Sequence, residues 1–235
     1  MIPRALEPEV MDSPAEAMAY DAMDHAEVNR RFVDDFLTAC EAVGGAATGS
    51  DLSVLDLGTG TAQIPIELCG RDKRLAVVAV DAAGSMLELA ERNVAVAGLA
   101  AQIHLEQADA KRLPFADGQF AAVMSNSIVH HIPAPERVLA EAVRVVRQGG
   151  LIFVRDLMRP ENTAQLDALV EQYAAGANAH QRALFAASLH AALTLEEVQD
   201  LVAALGYPRD SVSATSDRHW TWQGRKNAGR SQQPG

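Results

Sequence analysis

A short apolar run, Val54-Leu55-Asp56-Leu57, breaks into a glycine turn at Gly58-Thr59-Gly60. A second apolar run, Leu75 to Val80, ends in Asp81. Runs this short and this apolar suit strands covered on both faces, the condition of a parallel sheet. Glycine after such a strand lets backbone approach a ligand closely, and an acid closing the next strand can accept hydrogen bonds from ribose hydroxyls. Together they describe a nucleoside-binding crevice at the carboxyl ends of neighbouring strands.

The chain keeps that rhythm. Strand-like runs fall at 52–57, 75–80, 102–107, 119–125 and 150–156, with helix-like runs at 62–70, 85–97 and 136–147 between them. Ser85 with Glu88 reads as a capping box above a stripe of Met86, Leu89, Ala90, Val94 and Ala97. In the 136–147 helix Val138, Leu139, Ala142, Val145 and Val146 turn inward, and Gly149 and Gly150 close it. This alternation predicts a doubly wound, mainly parallel α/β sheet. Ahead of it, residues 1–14 hold three prolines and read as an irregular arm. Residues 15–43 read as helical from Phe32, Val33, Phe36, Leu37 and Cys40, and 44–51 as a small-residue linker. Beyond 157, residues 162–192 read as one or two helices with Leu166, Leu169, Val170 and Tyr173 on one face. Thr194 with Glu197 caps a helix at 195–205 that Gly206 ends, 211–215 and 218–223 read as two short strands, and the polar 224–235 reads as a disordered tail.

Charge narrows the partners. Twenty Lys and Arg against 31 Asp and Glu leave a net charge of −11, which repels phosphate backbones and disfavours nucleic acid. Cys40 and Cys69 form no CxxC pair; both read as reduced thiols, and no metal site is expected. The N-terminus lacks the apolar core of a signal peptide, and no run approaches the roughly 18–20 apolar residues that span a bilayer, so a cytoplasmic protein with no membrane partner is expected.

At four places the residues resemble class I S-adenosylmethionine-dependent methyltransferases. Val54 to Thr61 is similar to the family's first motif, and Val77 to Leu87 to its ribose-binding motif. Glu106 to Ala110, then Leu113 to Phe120, resembles the approach to the fourth strand, and Leu139 to Gly150 resembles the helix and glycine turn before the fifth. The resemblance covers about residues 50–157, in order and in spacing. One departure is Ala62, where the family most often has glycine; slightly altered packing is expected there. The resemblance implies a Rossmann-like sheet of seven strands, an N-terminal helical lid, a C-terminal antiparallel hairpin, and S-adenosyl-L-methionine as the cofactor. It divides the chain into an arm and lid at 1–43, a methyltransferase domain at 44–223 (cofactor half 50–157, substrate cover 158–223) and a tail.

The same resemblance implies residue roles. The Gly58, Thr59 and Gly60 backbone lies under the methionine part of the cofactor, and Asp56 supports that loop. Asp81 takes the ribose hydroxyls, Ala82 and Met86 flank the adenine, and Asp109 accepts from the adenine amino group beside the Ala110 N–H. Asn126 and Ser127 line the methionine end, and Tyr20 belongs to a helix that folds over the cofactor, unless it is simply a packing aromatic. His130 and His131 follow the fourth strand, where the family places substrate-facing groups; either could be a general base, or a structural histidine at a helix start. Arg155, Arg159, Arg218 and Trp220 are candidates for holding an anionic small-molecule substrate. Against that, Arg155 and Asp156 could pair with each other, or with Arg218 and Asp217, to hold the sheet edge. The expected activity is methyl transfer to a small-molecule nucleophile by in-line displacement. The alternatives are an RNA or protein methyltransferase, a non-catalytic cofactor-binding protein of the same fold, and a nicotinamide-dependent oxidoreductase. The last wants glycine where Gln63 stands, and the acidic charge weighs against RNA.

Overall fold

Strand β1 (Ser53–Leu57) sends alternate side chains to two buried faces. Val54 joins an apolar cluster with Phe32, Phe36, Val77, Met124 and Phe153, whereas Leu55 and Leu57 join another with Val80, Val123, Ile152 and Val154. Burial on both faces is why the run in sequence is almost unbroken by polar residues. The structure is a computed structural model that describes residues 2–7, 10, 12–23, 25–42 and 53–227.

β1 pairs in parallel with β2 (Ala76–Asp81) and with β4 (Phe120–Asn126); β2 pairs with β3 (Ile103–Gln107), and β4 with β5 (Val146–Leu157), also in parallel. β7 (His219–Arg225) joins β5 antiparallel and carries β6 (Val212–Ala214), so the seven strands run in the order β3-β2-β1-β4-β5-β7-β6. The order reverses between β1 and β4, and such a reversal opens a crevice at the strands' carboxyl ends. Helices α2 (Ala26–Ala42), α3 (Gln63–Arg71) and α4 (Gly84–Val96) cover one face with Phe32, Phe36, Leu68, Ala90 and Val94. On the other face α5 (Pro135–Val145) and α8 (Leu195–Ala204) bring Val138, Leu139, Val198 and Val202. α6 (Thr163–Tyr173) and α7 (Ala179–Ala191) pack Leu166, Leu169 and Leu189 with Leu157. No helix among the described residues is long and apolar enough to cross a membrane.

The expected doubly wound sheet with its antiparallel C-terminal strands is what forms; several local expectations need correction. The segment read as helical at 15–43 forms two helices, α1 (Pro14–Asp21) and α2. Ser85 does not cap α4, whose N-cap is Ala83; the Ser85 N–H instead donates to Asp12 Oδ1 of the arm at 3.0 Å, so a distant carboxylate replaces the local one. Gly149 and Gly150 do not close α5, which ends at Val145; they lie inside β5, where residues 147–150 form an irregularity opposite Ala121. A Cβ at Gly150 would come 2.6 Å from the Ala121 carbonyl oxygen, so the close strand approach selects glycine. The 162–192 segment is two helices, each capped by an asparagine, Asn162 and Asn178. The Thr194–Glu197 box on α8 forms as read. β7 runs on to Arg225, into the segment read as tail, and the Lys226 ammonium donates to the Arg144 and Val146 carbonyls at 3.1 and 2.8 Å. The linker at 44–51 and residues 228–235 lie outside the described residues.

Candidate cofactor and acceptor site

The glycine turn is built by the β1–α3 connection. Gly58 and Gly60 adopt positive φ angles of 69° and 54°, and the Gly58 and Thr59 N–H groups both donate to the Val80 carbonyl at 2.9 Å. A Cβ at Gly58 would overlap Ile128 Cγ2, so this glycine is what lets the turn close against the end of β4. Ala62 also lies in the left-handed region, φ 62°, with its methyl wholly buried in the core; glycine's usual place there is explained by the backbone, and the extra methyl by packing. Gly58→Ala is expected to destabilise the fold by about 1–2 kcal/mol for the left-handed backbone alone, with the overlap adding to it. Adding Ile128→Ala should recover part of the loss in urea unfolding; a wild-type midpoint for the single variant would rule out this turn.

A cleft of about 840 Å³, its open mouth included, lies over the turn at the β1–β4 reversal. Asp81 and Asp109 both line it, with Gly58, Gly60, Ala82, Met86, Ala110, Asn126, Ser127 and Tyr20. Asp81 Oδ2 accepts the Gly60 N–H at 2.8 Å and Oδ1 the Ala83 N–H at 2.9 Å, which locks the acid to both the turn and the start of α4. Burial pushes its pKa above the ordinary carboxylate value, against the opposing pull of those N–H groups. Asp109 is more open; burial raises its pKa, but the Lys111 N–H and ammonium, both 2.9 Å from Oδ1, bring it below the usual value. Tyr20 Cε1 would stand 3.6 Å from a Cβ at Gly60, which sets the ring over the turn. α1 is fixed there because Asp21 Oδ1 accepts from Asn93 Nδ2 at 2.9 Å and Gln63 Nε2 at 3.3 Å. Ser127 carries a non-glycine φ of 60° at the cleft wall, a strained conformation found preferentially at functional sites.

Asp56 and Thr59 are buried beneath the turn and do not line the cleft. Burial pushes the Asp56 carboxyl up to about 7, with Thr59 lowering it and Asp81 adding to the rise. Between about pH 4, where an unfolded Asp titrates, and about 7, the folded chain therefore holds one more proton at this site than the unfolded chain. Its contribution to stability falls as pH rises through that window and is flat on either side. Asp56→Asn removes the titration, so the variant should gain on the wild type across the window, by up to about 4 kcal/mol in total. Parallel urea curves for the two proteins from pH 4 to 8 check this; a constant difference would show Asp56 to be ionised throughout.

Of the two histidines, only His131 lines the cleft. His130 is 4% exposed, and its Nδ1 lies 2.5 Å from Asp156 Oδ1. The arm, read from sequence only as irregular, runs past both rings. Arg4 donates to the carbonyls of Ala191, His130 and Ile132 at 2.7, 3.2 and 3.0 Å, Glu7 lies beside His131, and Val10 lines the cleft. The Arg4-x-x-Glu7 pattern is polar residues in a proline-containing stretch, and no local periodicity marks it as part of a site.

The four residues expected to hold substrate do not line this cleft. Arg155 donates to Asp35 at 2.7 Å and to Thr221 at 2.9 Å; Arg159 donates to Glu197 at 2.6 Å and to the Ala192 carbonyl at 3.0 Å. Arg218 stacks on Tyr173, 3.4 Å from the ring centroid, with Asp217 alongside at 3.8 Å. Trp220 is wholly buried, because inward positions of β7 face the apolar cluster under α8. Arg155 and Asp156 do not pair with each other: Asp35 and Glu197 are the partners of Arg155 and Arg159, and Asp156 goes to His130.

Residues 55–154 match the family described as "Methyltransferase domain". A phosphatidylethanolamine N-methyltransferase of Cereibacter sphaeroides is 37% identical over 43% of this chain and 48% of its own length. A ubiquinone/menaquinone biosynthesis C-methyltransferase of Rhizobium meliloti is 31% identical over 62% of this chain and 56% of its own. The chain spans about half the length of the curated relatives it matches. Among solved structures, a SAM dependent methyltransferase from Aquifex aeolicus shares the fold with a TM-score of 0.63 at 15% identity, over 92% of this chain and all of that one. Residues 55–154 therefore match a methyltransferase domain, on a fold shared with a SAM dependent methyltransferase.

Proposed function

We propose that this chain transfers the methyl group of S-adenosylmethionine to a small-molecule acceptor by in-line displacement. The observation that carries the reading is that Asp81, Asp109 and the Gly58–Gly60 turn share one cleft with His131. The residues fit the cofactor: two carboxylates offer acceptors for ribose and adenine, and the glycine turn keeps side chains off the floor. Asp81 would hold the ribose, Ala82 and Met86 the faces of the adenine, Asp109 and the Ala110 N–H its edge, and Asn126, Ser127 and Tyr20 the methionine end. Asp56 and Thr59 would act from below, by supporting the turn. When bound, S-adenosylmethionine supplies an electrophilic methyl on a sulfonium. The protein's part is to hold the acceptor in line with that methyl and exclude water, and positioning of this kind supplies roughly 7–11 kcal/mol.

Of the two histidines, His131 is the group that meets the acceptor, and His130 is a positioning residue held by Asp156. The names of the relatives span C- and N-methylation, which supports the class of acceptor and no single member of it. An anionic acceptor draws no support from Arg155, Arg159 or Arg218, all engaged elsewhere. The two free, buried thiols, Cys40 and Cys69, are in keeping with a cytoplasmic setting. Calorimetric titration with S-adenosylhomocysteine and with a nicotinamide cofactor tests the reading. Binding of the first alone is expected; binding of the second alone would overturn it.

A further inference from the structure

The arm brings a third ligand atom to the histidine pair. Glu7 Oε1 lies 3.1 Å from His131 Nδ1 and 3.6 Å from His130 Nε2, and one atom of each residue falls within 4.8 Å of both others. Around a tetrahedral zinc ion with ligands at about 2.0–2.2 Å, neighbouring ligand atoms stand roughly 3.3–3.6 Å apart. The two spacings from Glu7 bracket that range. Glu7 Oε1 and His131 Nδ1 are both shut off from water and face each other at 3.1 Å. A buried carboxylate facing two imidazole nitrogens is met either by a ring N–H or by a cation held among the three.

The surroundings hold the set in place. His130 Nδ1 is fixed on Asp156 Oδ1, which leaves Nε2 for the Glu7 side. A carboxylate behind a ligating imidazole is the usual outer support of a metal-bound histidine. Asp156 is itself held by the N–H groups of Val129, His130 and Leu157. The arm is anchored on both sides of Arg4, by the Ile2 N–H on the Glu161 carbonyl and the Ala5 N–H on the His190 carbonyl, both at 3.1 Å.

We propose that Glu7, His130 and His131 bind one divalent transition-metal ion, of which zinc suits the set best. Two imidazoles and a carboxylate match zinc, whereas magnesium and calcium favour all-oxygen sites. Three protein ligands leave the fourth position of a tetrahedron open. His131 is part of the cleft wall, so the open position borders the place the acceptor would occupy. An acceptor hydroxyl or thiol bound there would release its proton to solvent at lower pH than in water. The ion would then do for the acceptor what a free imidazole would otherwise do. The site goes beyond the methyl-transfer reading, and binding of the ion can be tested without it.

The full chain, stripped with a chelator, is titrated with zinc chloride against a chromophoric zinc chelator, and separately with cobalt(II) followed by its visible absorption. One equivalent of zinc and a tetrahedral cobalt spectrum are expected. Glu7→Gln and His131→Ala should each weaken zinc binding by more than the about 10- to 100-fold that loss of an outer partner costs, and Asp156→Asn by about that amount. His104→Ala, at an exposed position of β3, should leave it unchanged. No uptake by the wild type, or equal affinity in the Glu7 and His131 variants, overturns the site and leaves a carboxylate–imidazole pair in its place. S-adenosylhomocysteine titrated into the same samples separates the two readings: its binding without zinc uptake sinks the ion alone, and zinc uptake without its binding sinks the methyl-transfer reading alone.

Discussion

Replacing Asp156 with alanine is expected to lower the free energy of unfolding by about 3–5 kcal/mol, the cost of breaking a buried charge pair from one side. Its carboxylate is wholly buried and serves several groups at once. Oδ2 accepts the Val129 N–H at 2.5 Å and the His130 N–H at 3.2 Å; Oδ1 meets His130 Nδ1 and the Leu157 N–H, each at 2.5 Å. Burial pushes the carboxyl pKa up, but the His130 imidazole and the Leu157 N–H outweigh it and hold the pKa below the usual value. Alanine would leave the three N–H groups and the ring unpaired in a low-dielectric interior, where an unmet donor costs most. The short 3-10 turn Val129–His131, which carries both histidines, would lose its anchor to β5. Asparagine keeps the shape and one acceptor oxygen, so its loss should be smaller. Urea unfolding near neutral pH, with the slope unchanged between variants, reads the difference. A loss under about 1 kcal/mol for the alanine variant would show that the network is not a structural keystone.

Asp81→Ala is expected to weaken S-adenosylhomocysteine binding by about 1.5–3 kcal/mol, roughly 10- to 150-fold in Kd. The figure is that of a charge-assisted hydrogen-bond pair to the ribose hydroxyls. The acid also holds the Gly60 and Ala83 N–H groups, so part of the loss would come through the turn itself. Asp81→Asn separates the two contributions, since its amide oxygen can still accept one of those N–H groups. Asp109→Ala should weaken binding less, because its side chain is half exposed and already shared with Lys111. Calorimetry on the three variants ranks them. An alanine variant at position 81 that binds as the wild type does would remove the strand-end carboxylate from the site.

Much of this was legible along the chain because it is local. Val54–Leu57 and Leu75–Asp81 show their burial as unbroken apolar runs, and the acid and the glycines that follow sit at fixed offsets from the strand ends. The cleft gathers Gly58, Gly60, Asp81 and Asp109 for that reason: each ends a strand or begins the loop after one, and parallel pairing puts all those ends on one side. Helix caps were legible where donor and acceptor are three residues apart, as at Thr194 and Glu197, and illegible at Ser85, whose partner is Asp12.

The candidate substrate residues show the other limit. Arg155, Arg159, Arg218 and Trp220 stand at strand ends, as Asp81 does, but charge and position do not reveal a partner. Asp35 on α2 and Glu197 on α8 claim two of the arginines, and the pleat of β7 turns Trp220 inward. Glu7 is the converse case, an unremarked acid in an irregular arm that lands on His131.

Sequence alone therefore determined the α/β alternation, the sheet's parallel core and the acids that face the cleft, because apolar period and strand-end position are properties of neighbouring residues. Only the tertiary structure decided which of the two histidines borders the cleft, which arginines are bound to other elements, and that the arm delivers Glu7. Those outcomes depend on contacts between segments far apart in the chain, where side chains compete for burial and for charge, and no local pattern records who wins.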